Sequence, residues 1–361
     1  MKNTIKLALC LLTMAVVSCV PDNPVAPVVT SVGKGVFVIN EGNFGYANST
    51  LTFYDPMMDT VANNLFCRVN GVPIGDTGQS LCLLDGKLYI VVNASNCIRK
   101  VDAATIVCDT TQPYMLTDFV YPRYMLPVAP NKAYVSDLAS TLLWIVNPQD
   151  MTHSGSVSMG KSTETMVQLG QELYVTNWSR AYLPGMENNT VQVVDINNDI
   201  KVADITVGME PKGMVVDKNG MVWVLCEGDS YDILAEVSST LWRIDPQLKT
   251  ATLVKSFERC ALNLAIDPTG SYLYYIYGGD YTHGGDLCRF NIDSQAQDES
   301  FKIEADGRMF YSIAVNPGNG DIYLSDAKTY VQDGTVYRYS SDGVLLSSFD
   351  AGICPGFMLF N

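Results

Sequence analysis

Short apolar runs rich in β-branched and aromatic residues recur along the chain, each cut off by a turn or a polar stop. The clearest unit opens with Pro211-Lys212-Gly213-Met214-Val215-Val216-Asp217, turns at Lys218-Asn219-Gly220 and resumes as Met221-Val222-Trp223-Val224-Leu225. A loop then leads to Leu241-Trp242-Arg243-Ile244-Asp245-Pro246 and to Ala251-Thr252-Leu253-Val254. This composition and punctuation predict four short strands. The second strand recurs as Val36-Phe37-Val38-Ile39, Leu88-Tyr89-Ile90-Val91, Ala133-Tyr134-Val135, Leu173-Tyr174-Val175, Val222-Trp223-Val224, Leu273-Tyr274-Tyr275 and Ile322-Tyr323-Leu324. The third recurs with its polar stop at Asp55, Asp102, Asn147, Asp195, Asp245, Asn291 and Ser340. Seven copies result, with aromatic-to-aromatic steps of 40 to 52 residues. No stretch reads as an amphipathic helix.

Four-stranded units at this period stack radially, and each blade is then covered on both faces by its neighbours. The reading is all-β: a seven-bladed β-propeller of four-stranded blades over residues 35–361. The first copy begins at its second strand, while the chain ends in Pro355-Gly356-Phe357-Met358-Leu359-Phe360, which matches the first strand Pro211-Lys212-Gly213-Met214-Val215-Val216. The C-terminal strand is therefore expected to close blade one.

The N-terminus predicts processing and anchoring. Lys2 and Lys6 precede an apolar stretch, Ile5 to Val17, that is shorter than the about 20 residues of a membrane-spanning helix and fits a secretory signal. Val16-Val17-Ser18-Cys19 matches a lipobox, so residues 1–18 are expected to be a lipoprotein signal peptide. Cys19 is then the lipidated residue, and residues 19–34, rich in proline, form a tether. An outer-membrane lipoprotein results, with Asp22 after the cysteine pointing to the cell surface and a periplasmic orientation left open. Without residues 1–18 the chain has 21 basic against 38 acidic residues, a net charge of −17. Nucleic-acid binding is excluded for want of a basic footprint, and contact with membrane rests on the lipid alone. Eight further cysteines allow either buried thiols or one or two bridges, and no zinc-type spacing is present.

The opening Val38-Ile39-Asn40-Glu41-Gly42-Asn43-Phe44-Gly45, followed by Ser49-Thr50-Leu51-Thr52-Phe53-Tyr54-Asp55, resembles the YncE-like (YVTN) propeller lipoproteins of Bacteroidetes, across essentially the whole mature chain. BtuG-type members of that group capture corrinoids, cobalamin and its precursors, and pass them to a TonB-dependent outer-membrane transporter. The resemblance implies a corrinoid as ligand, not cofactor, such a transporter as partner, and a chain that is monomeric or transporter-bound.

Connections from strand two to three, and from strand four to the next strand one, share one face of a propeller. Here they are long and varied (residues 41–49, 68–79, 112–123, 177–189, 227–239, 278–286 and 327–334), and long loops on a rigid scaffold carry function. The candidate ligand-binding aromatics on this face are Phe44, Tyr46, Tyr114, Tyr124, Trp178, Tyr182, Tyr231, Tyr281, Phe310, Tyr311 and Tyr330, with Arg180 and His283 among them. Rings with an apolar body and a polar tip suit a large amphipathic ligand or a protein partner. The starts of the first strands, Gln79, Arg123, Thr163, Lys212, Asn263, Tyr311 and Gly356, are expected to line a central funnel. Acidic residues on the same face (Glu41, Glu227, Asp229, Asp232, Asp280, Asp286, Asp326, Asp333) either bind a cation or simply solvate the loops.

Catalytic material is sparse. The two histidines, His153 and His283, fall in different blades, and neither a GxSxG elbow nor a phosphate-cradling loop is present. The reading is a non-enzymatic binding protein for nutrient capture, without a cofactor or resident metal. The alternatives are an interaction scaffold at the envelope and a metal-assisted propeller lyase or hydrolase.

Overall fold

The computed structural model describes residues 32–115, 120–178, 188–228, 238–279 and 283–361. The predicted signal peptide, Cys19 and most of the tether lie outside them, as do Arg180, Tyr182, Tyr231 and Tyr281. The described chain forms seven antiparallel sheets of four strands each, a seven-bladed β-propeller. The innermost strands are Pro355–Phe360, Gly78–Leu84, Pro122–Ala129, Met166–Leu169, Pro211–Val216, Ala261–Ile266 and Phe310–Val315.

Second strands such as Val36–Asn40 and Val222–Cys226 are buried at every position. They are apolar throughout because a neighbouring blade covers each face. The core is accordingly divided into seven clusters, each shared by two adjacent blades. Tyr89, Val91 and Ile98 of blade two pack with Met125, Val135 and Trp144 of blade three. Val36, Val38 and Tyr54 of blade one pack with Tyr323, Val336 and Phe349 of blade seven. Closure is as expected: Val36–Asn40 pairs with the C-terminal strand, Val36 facing Phe360 and Val38 facing Met358.

Two local features differ from the sequence reading. A short helix, Leu65–Asn70, buries Leu65, Phe66 and Cys67 and ends at Gly71 in the left-handed conformation (φ 69°). Six residues are too few to display a 3.6-residue period, so pattern alone misses it. Tyr114, assigned to a connection between blades, instead lies in the outermost strand of blade two (Tyr114–Met115), paired with Cys97–Asp102. Its ring packs against the cluster around Tyr89 and Trp144, away from the axis. Cys82, Cys97, Cys108, Cys226, Cys260, Cys288 and Cys354 are free thiols.

Candidate functional site

A β-bulge interrupts the start of six of the seven innermost strands: between Gly78 and Ser80, Pro122 and Met125, Pro211 and Gly213, Leu262 and Ala265, and Phe310 and Ser312, with the matching irregularity opposite Ile39 and Asn40 in the closing strand. A bulge leaves one extra residue out of the ladder and re-aims its side chain. The extra positions fall at Gln79, Arg123, Lys212, Asn263, Tyr311 and Gly356, and all six line one axial cavity of about 550 Å³. Tyr124, Trp178, His283, Phe310 and Tyr330 of the sequence-expected set line it too, as do Glu41 and Glu227. Phe44 and Tyr46 stand at the rim, 69% and 77% exposed. Their loop is held by Asn43 Nδ2 donating to the Tyr330 carbonyl (2.7 Å) and Gly45 N donating to Asp76 Oδ2 (2.8 Å).

Thr163 does not reach the cavity. It is fully buried, and its Oγ1 accepts from Asp137 N at 2.9 Å. Its neighbour Glu164, which the sequence reading passed over, is the residue that matters. Arg123 Nε and Nη2 donate to the two Glu164 carboxylate oxygens at 2.7 and 2.8 Å, and Nη1 donates to Gln79 Oε1 at 2.5 Å. Glu164 sits in Ser162-Thr163-Glu164-Thr165, a polar run that reads as a solvated loop, yet Met166 faces Val175 as Met214 faces Val224, which puts Glu164 at the repeat position of Lys212.

The remaining charges are arranged around Trp178. The indole is 7% exposed, and the Lys212 ammonium and Arg123 guanidinium lie 4.5 and 5.4 Å from its ring centre. Its surface is thus engaged with cations of the protein itself. Lys212 Nζ also stands 3.5 Å from Glu227. Glu41 accepts from the Tyr311 hydroxyl at 2.9 Å, and Tyr311 meets Tyr330 edge to face at 5.8 Å. The start of the Glu41 loop is pinned to the closing strand's approach, Glu41 N donating to the Cys354 carbonyl at 2.9 Å. A Cβ at Gly356 would collide with Glu41 Oε1, so a side chain there would displace the carboxylate. Below this charged layer a second space of about 230 Å³ continues down the axis between Met214, Leu264, Ile313 and Met358. Among the described residues no group of three or more His, Cys, Asp or Glu side chains is placed to hold a metal.

Burial pushes the Glu41 carboxyl above its ordinary range, against the Tyr311 hydrogen bond and the charges of Arg123 and Lys212. Glu227 is raised for the same reason, against the pull of Lys212. A carboxyl raised in the folded state holds its proton more tightly there than in the unfolded chain. Its stabilisation is present below the unfolded value and is lost as pH rises through the folded one. Surface aspartates such as Asp102 and Asp195, lowered by backbone and side-chain donors, act in the opposite sense, but below the aspartate reference of 3.8. The windows are separate. The urea midpoint is therefore expected to rise as pH falls from the alkaline side toward the glutamate reference of 4.5, and Glu41→Gln should flatten that rise. A wild-type midpoint that is level or falls over this interval would contradict the assignment.

Comparison with known proteins agrees on the fold. A family model described as a domain of unknown function, DUF5074, matches residues 34–352. No curated protein matches the chain. A quinoprotein alcohol dehydrogenase-like protein from Bacteroides thetaiotaomicron superposes with a TM-score of 0.68 at 14% identity, over 91% of this chain and 79% of that one. A protein from Lactobacillus plantarum gives 0.67 at 14% identity, over 91% and 100%. The periplasmic gluconolactonase of Pseudomonas aeruginosa gives 0.63 at 12%, over 91% and 99%.

Proposed function

From the premise that the chain belongs to the DUF5074 family, we propose that it is a ligand-capturing propeller of the cell envelope, lipidated at Cys19 and non-enzymatic, whose site is the axial funnel. One observation carries the reading: six bulged strand starts converge on a single cavity of about 550 Å³. That volume lies within the range of small-molecule sites, which combine apolar walls with a few placed polar groups. Here the walls are Tyr124, Trp178, Phe310 and Tyr330, and the polar groups are Gln79, Glu41, Lys212 and Asn263.

The ligand we propose first is a corrinoid, delivered to an outer-membrane transporter. Its amide fringe would meet the polar funnel, and its body, larger than the cavity, would lie across the mouth beside Phe44 and Tyr46. Titration of the soluble mature chain with cobalamin and cobinamide, followed by calorimetry and the visible spectrum, is expected to saturate at micromolar concentration or below. No heat and no spectral change at about 100 μM would end the corrinoid assignment.

A second reading, docking of a protein on the same face, is favoured by the exposure of Val331 (70%) beside Phe44 and Tyr46. Capture of a purified outer-membrane transporter in the absence of any small molecule would support it.

A further inference from the structure

The charges at the funnel do not balance. Glu164 has Arg123, through two hydrogen bonds, and Glu227 has Lys212 at 3.5 Å. Among the described residues Glu41 has only the neutral Tyr311 hydroxyl as a side-chain hydrogen-bond donor, with Arg123 and Lys212 acting on it from further off. Three carboxylates thus share two cations among the described residues, and the third is walled by Tyr311 and Tyr330 in a space open to a ligand. Arg259 and His283 are exposed at the rim. Desolvation raises the proton affinity of Glu41, and the like charge of Glu164 adds to it against the pull of Arg123 and Lys212, so a cation brought close would offset the cost of burying the carboxylate. Its surroundings also suit a cation: aromatic rings attract positive charge over their faces, and the chain's net charge of −15 steers cations inward.

We propose that Glu41 is the anchor for a positively charged group of the bound ligand, a primary or quaternary ammonium, walled by Tyr311 and Tyr330. The group completes the charge pairing that the described residues leave one short, and Gly356 keeps the approach to Glu41 Oε1 clear of a side chain. This rests on the funnel being a ligand site, and it holds whatever body the ligand carries above it.

The test uses phenethylamine, charged at neutral pH, against 2-phenylethanol, its uncharged analogue of similar shape, read by calorimetry and by the tryptophan fluorescence to which Trp178 contributes. The amine is expected to bind about tenfold more tightly than the alcohol. Glu41→Gln, which still accepts from Tyr311, should erase that difference without a fall in melting temperature. Lys212→Met should move the other way, since removing a competing cation leaves a second carboxylate uncompensated, and amine affinity should rise several-fold. A merely structural role for Glu41 predicts no such gain. Equal binding of amine and alcohol to the wild type, a preference retained in Glu41→Gln, or no saturation of either probe by about 10 mM would each overturn the proposal. Corrinoid binding that persists beside equal amine and alcohol affinities sinks the cation anchor alone. An amine preference without corrinoid binding leaves the anchor standing and removes the corrinoid.

Discussion

A chain ending at Ile353 is expected to lose cooperative unfolding. The deleted strand, Pro355–Phe360, is the innermost strand of blade one, and it pairs along the whole of Val36–Asn40. Its Met358 is buried, and Phe357, Leu359 and Phe360 pack against the clusters on either side of the blade. At about 1–2 kcal/mol per side chain, these four contribute about 4–8 kcal/mol before any hydrogen bond is counted. That is comparable with the about 5–15 kcal/mol that separates a folded domain from its unfolded chain. The loss is not local. Val36, Phe37, Val38 and Ile39, all at 0% exposure, would become an open apolar edge, and the contact between blades seven and one would lose its inner layer. Circular dichroism and tryptophan fluorescence in urea should show a broad, non-coincident transition for the truncated chain. A permuted chain that begins at Cys354 and runs on from Asn361 through a short linker to Gly33 should recover a single sharp one, because Asn361 Nδ2 already reaches the Gly33 carbonyl at 2.9 Å. Cooperative melting of the truncated chain close to the wild-type midpoint would show that the seventh interface is dispensable.

The ring closure was legible because repetition is a strong signal: six intact copies define what the split copy must contain. The funnel was legible only in part, for the same reason. The repeats place Gln79, Arg123, Lys212, Asn263, Tyr311 and Gly356 at the inward position, but taking Thr163 as the seventh is one residue out. Met166 faces Val175 as Met214 faces Val224, which makes Glu164 the counterpart of Lys212 and Thr163 that of Pro211. The bulge lies there just outside the strand proper, Glu164 N donating to the Thr176 carbonyl and Thr176 N to the Thr165 carbonyl. Bulges depend on the pairing partner as much as on the strand itself, so a residue-by-residue reading has no access to them. Trp178 shows a second kind of limit. A tryptophan in a long loop reads as an open stacking surface, but the charge pairs that form around it come from blades three and five and occupy it. Glu164 shows a third: a buried carboxylate and a solvated one look alike until the arginine from the neighbouring blade is placed beside it.

That arginine carries the largest single-residue effect expected at the site. Arg123→Met should destabilise the protein by about 3–5 kcal/mol, because it leaves Glu164 buried without its partner. Glu164 is 0% exposed and receives both guanidinium bonds, so no water replaces them. Lys212→Met should cost much less, about 1 kcal/mol, since Lys212 is partly exposed and its contact with Glu227 is a looser 3.5 Å. Arg123→Lys should recover only part of the loss: it restores the charge, but not the two-pronged geometry or the third bond to Gln79. The double variant Arg123→Met, Glu164→Leu should be more stable than Arg123→Met alone, because the penalty lies in the orphaned charge more than in the missing attraction. Urea unfolding of Arg123→Met checks this: a loss under about 1 kcal/mol would mean that Glu164 is solvated and that the charged layer at the funnel is not the buried network described above.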